Sequence, residues 1–284
     1  MPLEDDFWDI LKKARVGQGL GVDDVANRSG LRTQDLSLLE RGKRLPSKAE
    51  IQALAAALKL RAKPLVDIAL FGWEPTPVPA ELPGVERICG EMGGYAVNGY
   101  VLYDGGEAIL IDTAYHADAM LDALRRRNLR LTAVCLTHGH VDHAGGLNRI
   151  LLKWEVPVYL GEADVDFLKW QPPADRLVVV PSGESERQIQ VGGLTVQFLA
   201  TPGHTRGGLC FLVERDHDPV CFVGDTLFAG SIGRANPFSL YFLHLDSVRG
   251  QLLTLPDSTR LFPGHGPATT VAEERQHNPF AAEA

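Results

Sequence analysis

Residues 137–146 read THGHVDHAGG and continue the apolar run AVCLT. They place His138, His140, Asp142 and His143 within six residues, on a loop that leads from a strand towards a helix. Side chains alternate along an extended loop, so His138 and His140 point one way while Asp142 and His143 turn towards a second position. Imidazole and carboxylate groups are typical ligands of zinc, iron and manganese. The segment therefore predicts a metal site at the end of a strand.

Three further metal-ligand candidates also come at the ends of apolar runs. They are His204 in ATPGHTRGG, Asp225 in FVGDTLF and His265 in FPGHGP. A glycine precedes each of them, as expected where a strand ends in a sharp turn that presents a side chain; these are Gly203, Gly224 and Gly264. Ordinary surface histidines would not share this arrangement. The sequence thus indicates one site assembled from several strand ends.

The same part of the chain contains short runs of strand length and composition. They are YVLY (100–103), AILID (108–112), AVCLT (133–137), LVVV (177–180), LTVQFL (194–199), LCFLV (209–213) and VCFVG (220–224). Helical patterns intervene at 117–128, at 146–155 and at about 239–254. Strands mixed with helices over about 200 residues predict a layered domain of the α/β class.

The N-terminal region has a different pattern, in which apolar residues recur at helical spacing and glycines separate the runs. We expect four or five short helices in a small all-α domain over residues 1–72. Prolines 75, 77, 79 and 83 then disfavour helix and predict a semi-rigid, extended linker over 73–84. The α/β domain would follow over 85–284.

Charge supports a division into two units. Residues 1–72 contain 12 Lys and Arg against 10 Asp and Glu, whereas residues 73–284 contain 16 against 26, within a total of −8. A change of sign along the chain indicates units with different partners. An excess of two positive charges is too small to show nucleic-acid binding by itself.

Apolar runs, the N-terminal pattern and the cysteines bear on the cellular compartment in which we expect the protein. No apolar run approaches the roughly 18–20 residues that span a bilayer, and the acidic N-terminus lacks the pattern of a secretory signal. The four cysteines lie singly in apolar segments without metal-site spacing, so we expect buried free thiols; they are Cys89, Cys135, Cys210 and Cys221. These features predict a cytoplasmic protein without a membrane partner.

The order HxHxDH, His, Asp, His resembles the metallo-β-lactamase superfamily. Within it, TPGHTRGG, GDTLFAGSIGR and LFPGHGPATTVAEERQHNPF resemble the glyoxalase II (hydroxyacylglutathione hydrolase)-like branch. The resemblance implies an αββα sandwich and two divalent metal ions per chain, zinc first, with iron or manganese as alternatives. It assigns His138, His140 and His204 to one ion and Asp142, His143 and His265 to the other, with Asp225 bridging them.

The resemblance implies a hydrolase in which a metal-activated water attacks a thioester or ester carbonyl. We expect Asp142 to take part in catalysis, and Arg234 and Tyr241 to contact the substrate. Phe238 and Phe242 either face the core or make the pocket rim more apolar. Glyoxalase II binds glutathione with the help of a C-terminal helical extension, whereas 19 residues follow His265 here, as in the short members of the branch. We therefore expect the resemblance to imply hydrolysis but not recognition of glutathione.

Residues 7–60 are similar to the phage-repressor (Cro/cI, XRE) type of helix-turn-helix, most clearly in LLERGKRLPSKAEIQALAAAL (38–58). The resemblance makes 23–30 the first helix of the motif, Gly30 the turn and 31–42 the recognition helix. Base contacts would come from Arg32, Thr33 and Gln34, and phosphate contacts from Arg41, Lys43 and Arg44. Such modules act in pairs, so we expect a homodimer on DNA; the alternative is a module for protein contacts.

Three functions stay open at this point. The first is a binuclear thioester or ester hydrolase fused to a DNA-binding module. The second is a transcriptional regulator whose metallo domain senses a ligand. The third is a mononuclear iron persulfide dioxygenase, which would keep His138, His204 and Asp225 as its ligands. A lactonase or β-lactamase agrees less well with GDTLFAGSIGR.

Overall fold

The structure is a computed structural model, and it describes residues 1–78, 82–92, 94–114, 116–215 and 218–281. Ten α-helices lie within these ranges: α1 Phe7–Gly17, α2 Val22–Ser29, α3 Thr33–Leu39, α4 Lys48–Leu58, α5 Ala62–Phe71, α6 Ala117–Arg126, α7 Val141–Ala144, α8 Leu147–Leu151, α9 Tyr241–Ser247 and α10 Val271–His277. The twelve strands of the same ranges are β1 Val85–Met92, β2 Tyr95–Asp104, β3 Glu107–Ile111, β4 Arg130–Cys135, β5 Val158–Gly161, β6 Leu177–Val180, β7 Gln188–Val191, β8 Leu194–Ala200, β9 Leu209–Val213, β10 Val220–Gly224, β11 Arg260–Pro263 and β12 Thr269–Thr270. Short 3-10 turns cover Glu162–Phe167 and Phe238–Leu240, and a π-helical turn covers Val248–Leu252.

The strands form two six-stranded mixed sheets. The first sheet has the order β1-β2-β3-β4-β5-β6, and the second has the order β12-β11-β10-β9-β8-β7. Strands β3 to β6 run parallel to one another in the first sheet, and β10 and β11 are the parallel pair of the second. Parallel neighbours end at the same edge, so the loops that follow β4, β10 and β11 can carry side chains to one place.

Three hydrophobic clusters fill the layers. Residues such as Ile109, Phe198 and Phe222 pack between the two sheets. Helices α6 to α8 cover the outer face of the first sheet through residues that include Met120 and Ile150. Helices α9 and α10 cover the second sheet. This αββα arrangement confirms the predicted fold class.

The five N-terminal helices pack on the same side as α9. Their core residues, such as Leu54 and Leu65, belong to one hydrophobic cluster with Tyr241, Leu245 and Val248 of α9 and the residues that follow it. Apolar area removed from water stabilises by about 25 cal/mol per Å². The helical region is therefore held against the sandwich by a continuous apolar core.

Part of the predicted linker also packs on the sandwich. The Trp73 ring stacks on the His277 ring with centroids 4.8 Å apart, and the backbone N–H of Thr76 donates to the Glu273 carboxylate. The segment up to residue 78 thus runs along α10, while predicted linker residues 79–81 lie outside the described residues. The division into 1–72, 73–84 and 85–284 stays a prediction.

One cysteine prediction is wrong. Cys135, Cys210 and Cys221 are buried free thiols, as expected, but Cys89 is exposed. It lies on β1, the edge strand of the first sheet, where alternate side chains point away from the core.

Candidate metal centre

The seven predicted ligands come together at the ends of four strands. His138, His140, Asp142 and His143 follow β4, while the other three ligands follow β8, β10 and β11; these are His204, Asp225 and His265. The short helix α7 carries Asp142 and His143, and the His143 ring has its centroid 4.1 Å from that of His138. The ligands therefore come from strand ends in both sheets.

The ligand atoms form three overlapping triads. Within each triad the donor atoms lie within 4.8 Å of one another; the triads are His138/His140/His204, His138/His143/Asp225 and Asp142/His143/His265. In the first triad His204 Nε2 lies only 3.1 Å from His140 Nδ1. Asp225 lies beside both the first and the third triad, since its Oδ2 is 3.6 Å from His204 Nε2 and 3.6 Å from His265 Nε2.

Three donor atoms of this cluster are buried without a hydrogen-bond partner. They are His138 Nε2, His143 Nε2 and Asp225 Oδ1. A buried polar atom left unsatisfied costs about 1–3 kcal/mol, so such atoms are rare in native proteins. Each one faces the other ligands, with His143 Nε2 and Asp225 Oδ1 3.3 Å apart, and a divalent ion would satisfy them. The donor set fits two ions of the zinc, iron or manganese kind.

Four histidines are oriented through their other ring nitrogen. His204 Nδ1 and His265 Nδ1 lie 2.8 Å from the carbonyl oxygens of Arg234 and Ala96, respectively. His138 Nδ1 contacts the Thr137 hydroxyl at 3.0 Å, and His143 Nδ1 contacts the Asp112 carboxylate at 2.8 Å. These partners fix the rings so that Nε2 faces the centre, as is usual for metal-binding histidines.

Asp112, which the sequence alone does not single out, supports two ligands at once. It is buried and accepts hydrogen bonds from His143 and from both the backbone N–H and the hydroxyl of Thr137. Its φ of 54° is in the left-handed region, which Asp tolerates better than most residues. Asp164, also missed, holds the loops of His140 and His204 through the backbone N–H of Gly139 and of Gly207.

The pKa shifts of the ligands show that positive charge would stabilise the centre. Burial would raise the pKa of Asp225, but His265 and His143 hold it well below its usual range. Burial would lower the pKa of His265, yet Asp225 and Asp142 raise it to about 9. At His204 burial prevails and lowers the pKa to about 4. Without ions, protons on some histidines must balance the carboxylates.

Two of the glycines predicted at the turns are required by close contacts. A Cβ at Gly224 would lie 2.4 Å from the Thr137 hydroxyl, and φ there is +47°. A Cβ at Gly264 would lie 2.4 Å from His143 Cε1 and 2.5 Å from Asp225 Oδ1. A side chain at position 264 would displace two ligands, and one at position 224 would displace Thr137, whose hydroxyl contacts His138.

The rim of the centre is aromatic and carries one arginine. The exposed Arg234 has its guanidinium 5.9 Å from the centre of the Phe238 ring, and its carbonyl orients His204. Phe238 and Phe242 are exposed, so the alternative that places them in the core is wrong. Phe167, missed from sequence, lies with its ring 5.2 Å from that of His140 and is 39% exposed.

The structure corrects the expectation that Tyr241 contacts substrate. Its side chain is buried, and its ring lies against Gly17 of α1. Burial raises the pKa of its hydroxyl to about 12. Tyr241 therefore joins the helical region to the sandwich, a role that the pattern of one helix could not reveal.

The helical region contains the predicted turn, with Gly30 left-handed at φ 72° directly after α2. The recognition helix is shorter than predicted, since α3 covers Thr33–Leu39 rather than 31–42. Arg32 therefore precedes the helix as its N-cap residue, and Arg41 follows its end.

Several predicted DNA contacts are paired within the chain. The guanidinium of Arg32 donates to Asp35, and that of Arg44 donates to Glu50. The Thr33 hydroxyl donates to Asp23. Gln34, Arg41 and Lys43 are exposed, with Arg41 bonded to the backbone carbonyl of Ser37.

A family model for the metallo-beta-lactamase superfamily matches residues 92–265, which hold all seven ligands. The chain belongs to the metallo-beta-lactamase superfamily. A helix-turn-helix model matches residues 11–64. The protein is thus a superfamily hydrolase fused to a helix-turn-helix region, and the superfamily fold implies divalent metal ions. Within the described residues no helix has the length and apolar character to cross a bilayer.

Relatives of known name agree with this assignment. "Probable metallo-hydrolase YqgX" of Bacillus subtilis is 32% identical over 209 residues, which cover 66% of this chain and 94% of that protein. "Hydroxyacylglutathione hydrolase GloC" of Haemophilus influenzae is 30% identical over 190 residues, which cover 62% of this chain and 88% of that protein.

Solved structures share the superfamily fold. The BLEG-1 B3 metallo-beta-lactamase is 31% identical, with a TM-score of 0.60 over 69% of this chain and 98% of that one. TTHA1623 in a di-iron-bound form is 28% identical, with a TM-score of 0.58 over 69% of this chain and 99% of that one. These matches cover about the length of the sandwich.

Proposed function

We propose that the protein is a binuclear metal-dependent hydrolase of a thioester or related ester, similar to glyoxalase II. The observation that carries this proposal is the double ligand set that shares Asp225, with His138/His140/His204 on one side and Asp142/His143/His265 on the other. The partnerless donor atoms His138 Nε2, His143 Nε2 and Asp225 Oδ1 support occupation by metal. Zinc is the proposed metal, with iron and manganese as alternatives.

Divalent ions bound by these residues would lower the pKa of a water towards 7 and polarise the substrate carbonyl. We assign to Asp142, half-buried in the second group, the orientation of the attacking water through its carboxylate. Arg234, exposed beside His204, would attract an anionic part of the substrate. The aromatic rim of Phe167 and Phe238 would exclude water from the bound ester.

Two comparisons support this proposal. The name of the Haemophilus influenzae relative is that of a thioesterase acting on hydroxyacylglutathione. TTHA1623 is described in a di-iron-bound form, which supports two ions in a sandwich of this kind. The similarity to BLEG-1 keeps β-lactams among the substrates to be tested.

The test combines metal analysis with a substrate panel of a hydroxyacylglutathione, simple thioesters, a lactone, a β-lactam and glutathione persulfide. We expect about two ions per chain and metal-dependent thioester hydrolysis. Asp142→Ala and His140→Ala should reduce kcat by two or more orders of magnitude while circular dichroism stays unchanged. Asp118→Ala is the matched control, because Asp118 is exposed and pairs with Arg149 away from the ligands.

Other results would favour the alternatives. A protein that saturates at one iron and oxidises the persulfide would be the mononuclear dioxygenase. Tight binding of a small molecule without turnover of any ester would favour the ligand-sensing regulator. Full activity of both variants after chelation would exclude the assigned centre.

DNA binding is a second proposed function, favoured by the helix-turn-helix match over residues 11–64. Gln34 and Lys43 are exposed in and after α3, where side chains can reach bases and phosphates. We propose a homodimer on a near-palindromic operator, and a cytoplasmic location where DNA is accessible. Selection from random duplexes would test it: Arg32→Ala should relax sequence preference, while Lys43→Ala should weaken binding to all sequences. A monomer that enriches no sequence would leave residues 1–72 as a module for protein contacts.

A further inference from the structure

We propose that Glu4, in the segment ahead of α1, lines the metal centre and selects against substrates with a negatively charged acyl group. The inference rests on the proposed hydrolase function and names a specificity residue for it. It also assigns the N-terminal segment a part in the hydrolase site, although this segment precedes both matched families.

The position of Glu4 follows from the residue next to a metal ligand. Gly266, directly after His265, has φ +72°, and a Cβ there would lie 3.1 Å from Glu4 N and 3.3 Å from Glu4 Cβ. The chain at Glu4 thus passes directly over the turn that carries His265. A glycine at 266 permits both the left-handed backbone and this close approach.

Hydrogen bonds hold the segment in this place. The buried Asp5 accepts from the hydroxyl of Ser231 and from the ammonium of Lys13, both at 2.5 Å. The same ammonium donates to the carbonyl of Ile232 at 2.8 Å and lies 4.9 Å from the centre of the Phe228 ring. The loop that follows Asp225 therefore clamps the segment, and Glu4 is not a freely moving terminal residue.

The charge of Glu4 acts on the centre. Burial raises the pKa of its carboxyl, the positive charge of His265 opposes that change, and the negative charge of Asp225 adds to it. Geometry places the segment at the same point, because the Phe228 ring beneath the Lys13 ammonium has its centroid 5.8 Å from that of the His265 ring.

The two sides of the centre therefore differ in charge. The His265 side has Glu4, whereas the exposed Arg234 adjoins His204, which its carbonyl orients. A thioester whose thiol part is anionic would place that part near Arg234. Its acyl group then lies towards Glu4, where a neutral or cationic group is accepted and a carboxylate is repelled.

The experiment compares two thioesters of one anionic thiol, a butyryl and a succinyl thioester, which differ by a terminal carboxylate. We expect Glu4→Gln to raise kcat/KM for the succinyl relative to the butyryl thioester by about fivefold to tenfold. Glu155→Gln should leave this ratio unchanged, because Glu155 is exposed and pairs with Arg176 far from the ligands in the chain. An unchanged ratio in Glu4→Gln would overturn the proposal.

A binding measurement separates this inference from the hydrolase function. Calorimetry on the metal-loaded full chain would compare two thioethers of the same anionic thiol that cannot be hydrolysed, one with a butyl group and one with a 3-carboxypropyl group in place of the acyl group. Glu4→Gln should bind the carboxypropyl thioether about fivefold more tightly and the butyl thioether as the wild type does. If neither thioester is hydrolysed, the hydrolase proposal fails, and thioether binding still decides the role of Glu4. A carboxypropyl thioether that binds the variant no better than the wild type contradicts that role.

Discussion

Gly17, the last residue of α1, lies against the ring of Tyr241, the first residue of α9. A Cβ at position 17 would fall 2.2 Å from Cδ2 of the ring. Because Tyr241 is buried, its ring cannot swing into solvent to make room. This contact sets how closely the helix-turn-helix region approaches the sandwich.

Gly17→Ala should therefore destabilise the protein, although alanine is the better helix former. Overpacking of a rigid site costs about 1–3 kcal/mol, which exceeds the helix-propensity gain of up to about 1 kcal/mol. Urea denaturation would measure the loss. The control is Gly250→Ala, where nothing lies within 4 Å of an added Cβ, and a loss there as large as at position 17 would refute the contact.

Asp112→Asn should weaken metal binding without unfolding the protein. Asparagine also tolerates the left-handed backbone at this position, but its amide has a single acceptor oxygen. It cannot accept the Thr137 backbone N–H on one atom and both His143 Nδ1–H and the Thr137 hydroxyl on the other, as the two carboxylate oxygens do. Loss of such a supporting group typically reduces metal affinity by about 10- to 100-fold. Competition with a chelator would measure it, with Asp104→Asn as control because its carboxylate accepts from the backbone of exposed Gly193, in the turn after β7. Equal affinities would contradict the role of Asp112.

Glu274 should make stability fall between about pH 5 and pH 8. Its carboxyl is buried, and this burial raises its pKa from 4.5 to about 8 despite hydrogen bonds from Asn278 and Thr269. In that interval the unfolded chain loses the proton while the folded chain keeps it. The free energy of unfolding contributed by this group therefore falls as pH rises, by up to about 1.4 kcal/mol per pH unit.

Glu274→Gln removes the proton but keeps a hydrogen-bonding side chain, so it should reduce this slope in urea denaturation at pH 5, 6, 7 and 8. The adjacent Glu273→Gln is the control. Burial would raise the pKa of Glu273, but the hydrogen bonds from Thr76, Thr270 and Thr269 together lower it, so its titration lies below this interval. A wild-type slope that Glu274→Gln leaves unchanged would show that the carboxyl ionises at its usual pH.

Asp35→Asn should strengthen DNA binding. In the free protein Asp35 accepts two hydrogen bonds from the Arg32 guanidinium, and its negative charge faces the proposed DNA surface. Its removal frees Arg32, and we expect affinity to rise roughly threefold to tenfold at low salt and less at high salt. Fluorescence anisotropy across a salt series would show this, with Asp118→Asn on the sandwich as control. Weaker binding by Asp35→Asn would mean that α3 does not face DNA.

The metal centre could be predicted because its ligands obey local rules. Each ligand follows an apolar strand, most after a glycine, and imidazole and carboxylate side chains that cluster in this way typically bind metal ions. His138 and Asp225 were thus recognisable from their neighbours in sequence. The sheets could be predicted as a class for the same reason, since runs such as LCFLV are too short and apolar to be surface helices.

The other features of the site and of the domain packing depend on contacts between residues that are far apart in the sequence. Asp112 ends a strand like many other residues, and only the fold brings it to His143. Tyr241 has the amphipathic character of a pocket residue, but α1 covers it. The proline-rich segment indicated separation between two units, whereas an apolar core shared by α1, α5 and α9 joins them. The charge distribution and the turn residues of a sequence do not show which surfaces pack against each other.

The shared core bears on the spacing of DNA half-sites. Because α1 is fixed on α9, α3 cannot swivel independently, so in the proposed dimer the sandwiches would set the distance and phase between the two copies of α3. Insertion of about five base pairs rotates one half-site to the opposite face of the duplex. A loosely tethered repressor could follow that rotation, but this protein would have to break its own core, so its operators should tolerate little variation in spacing.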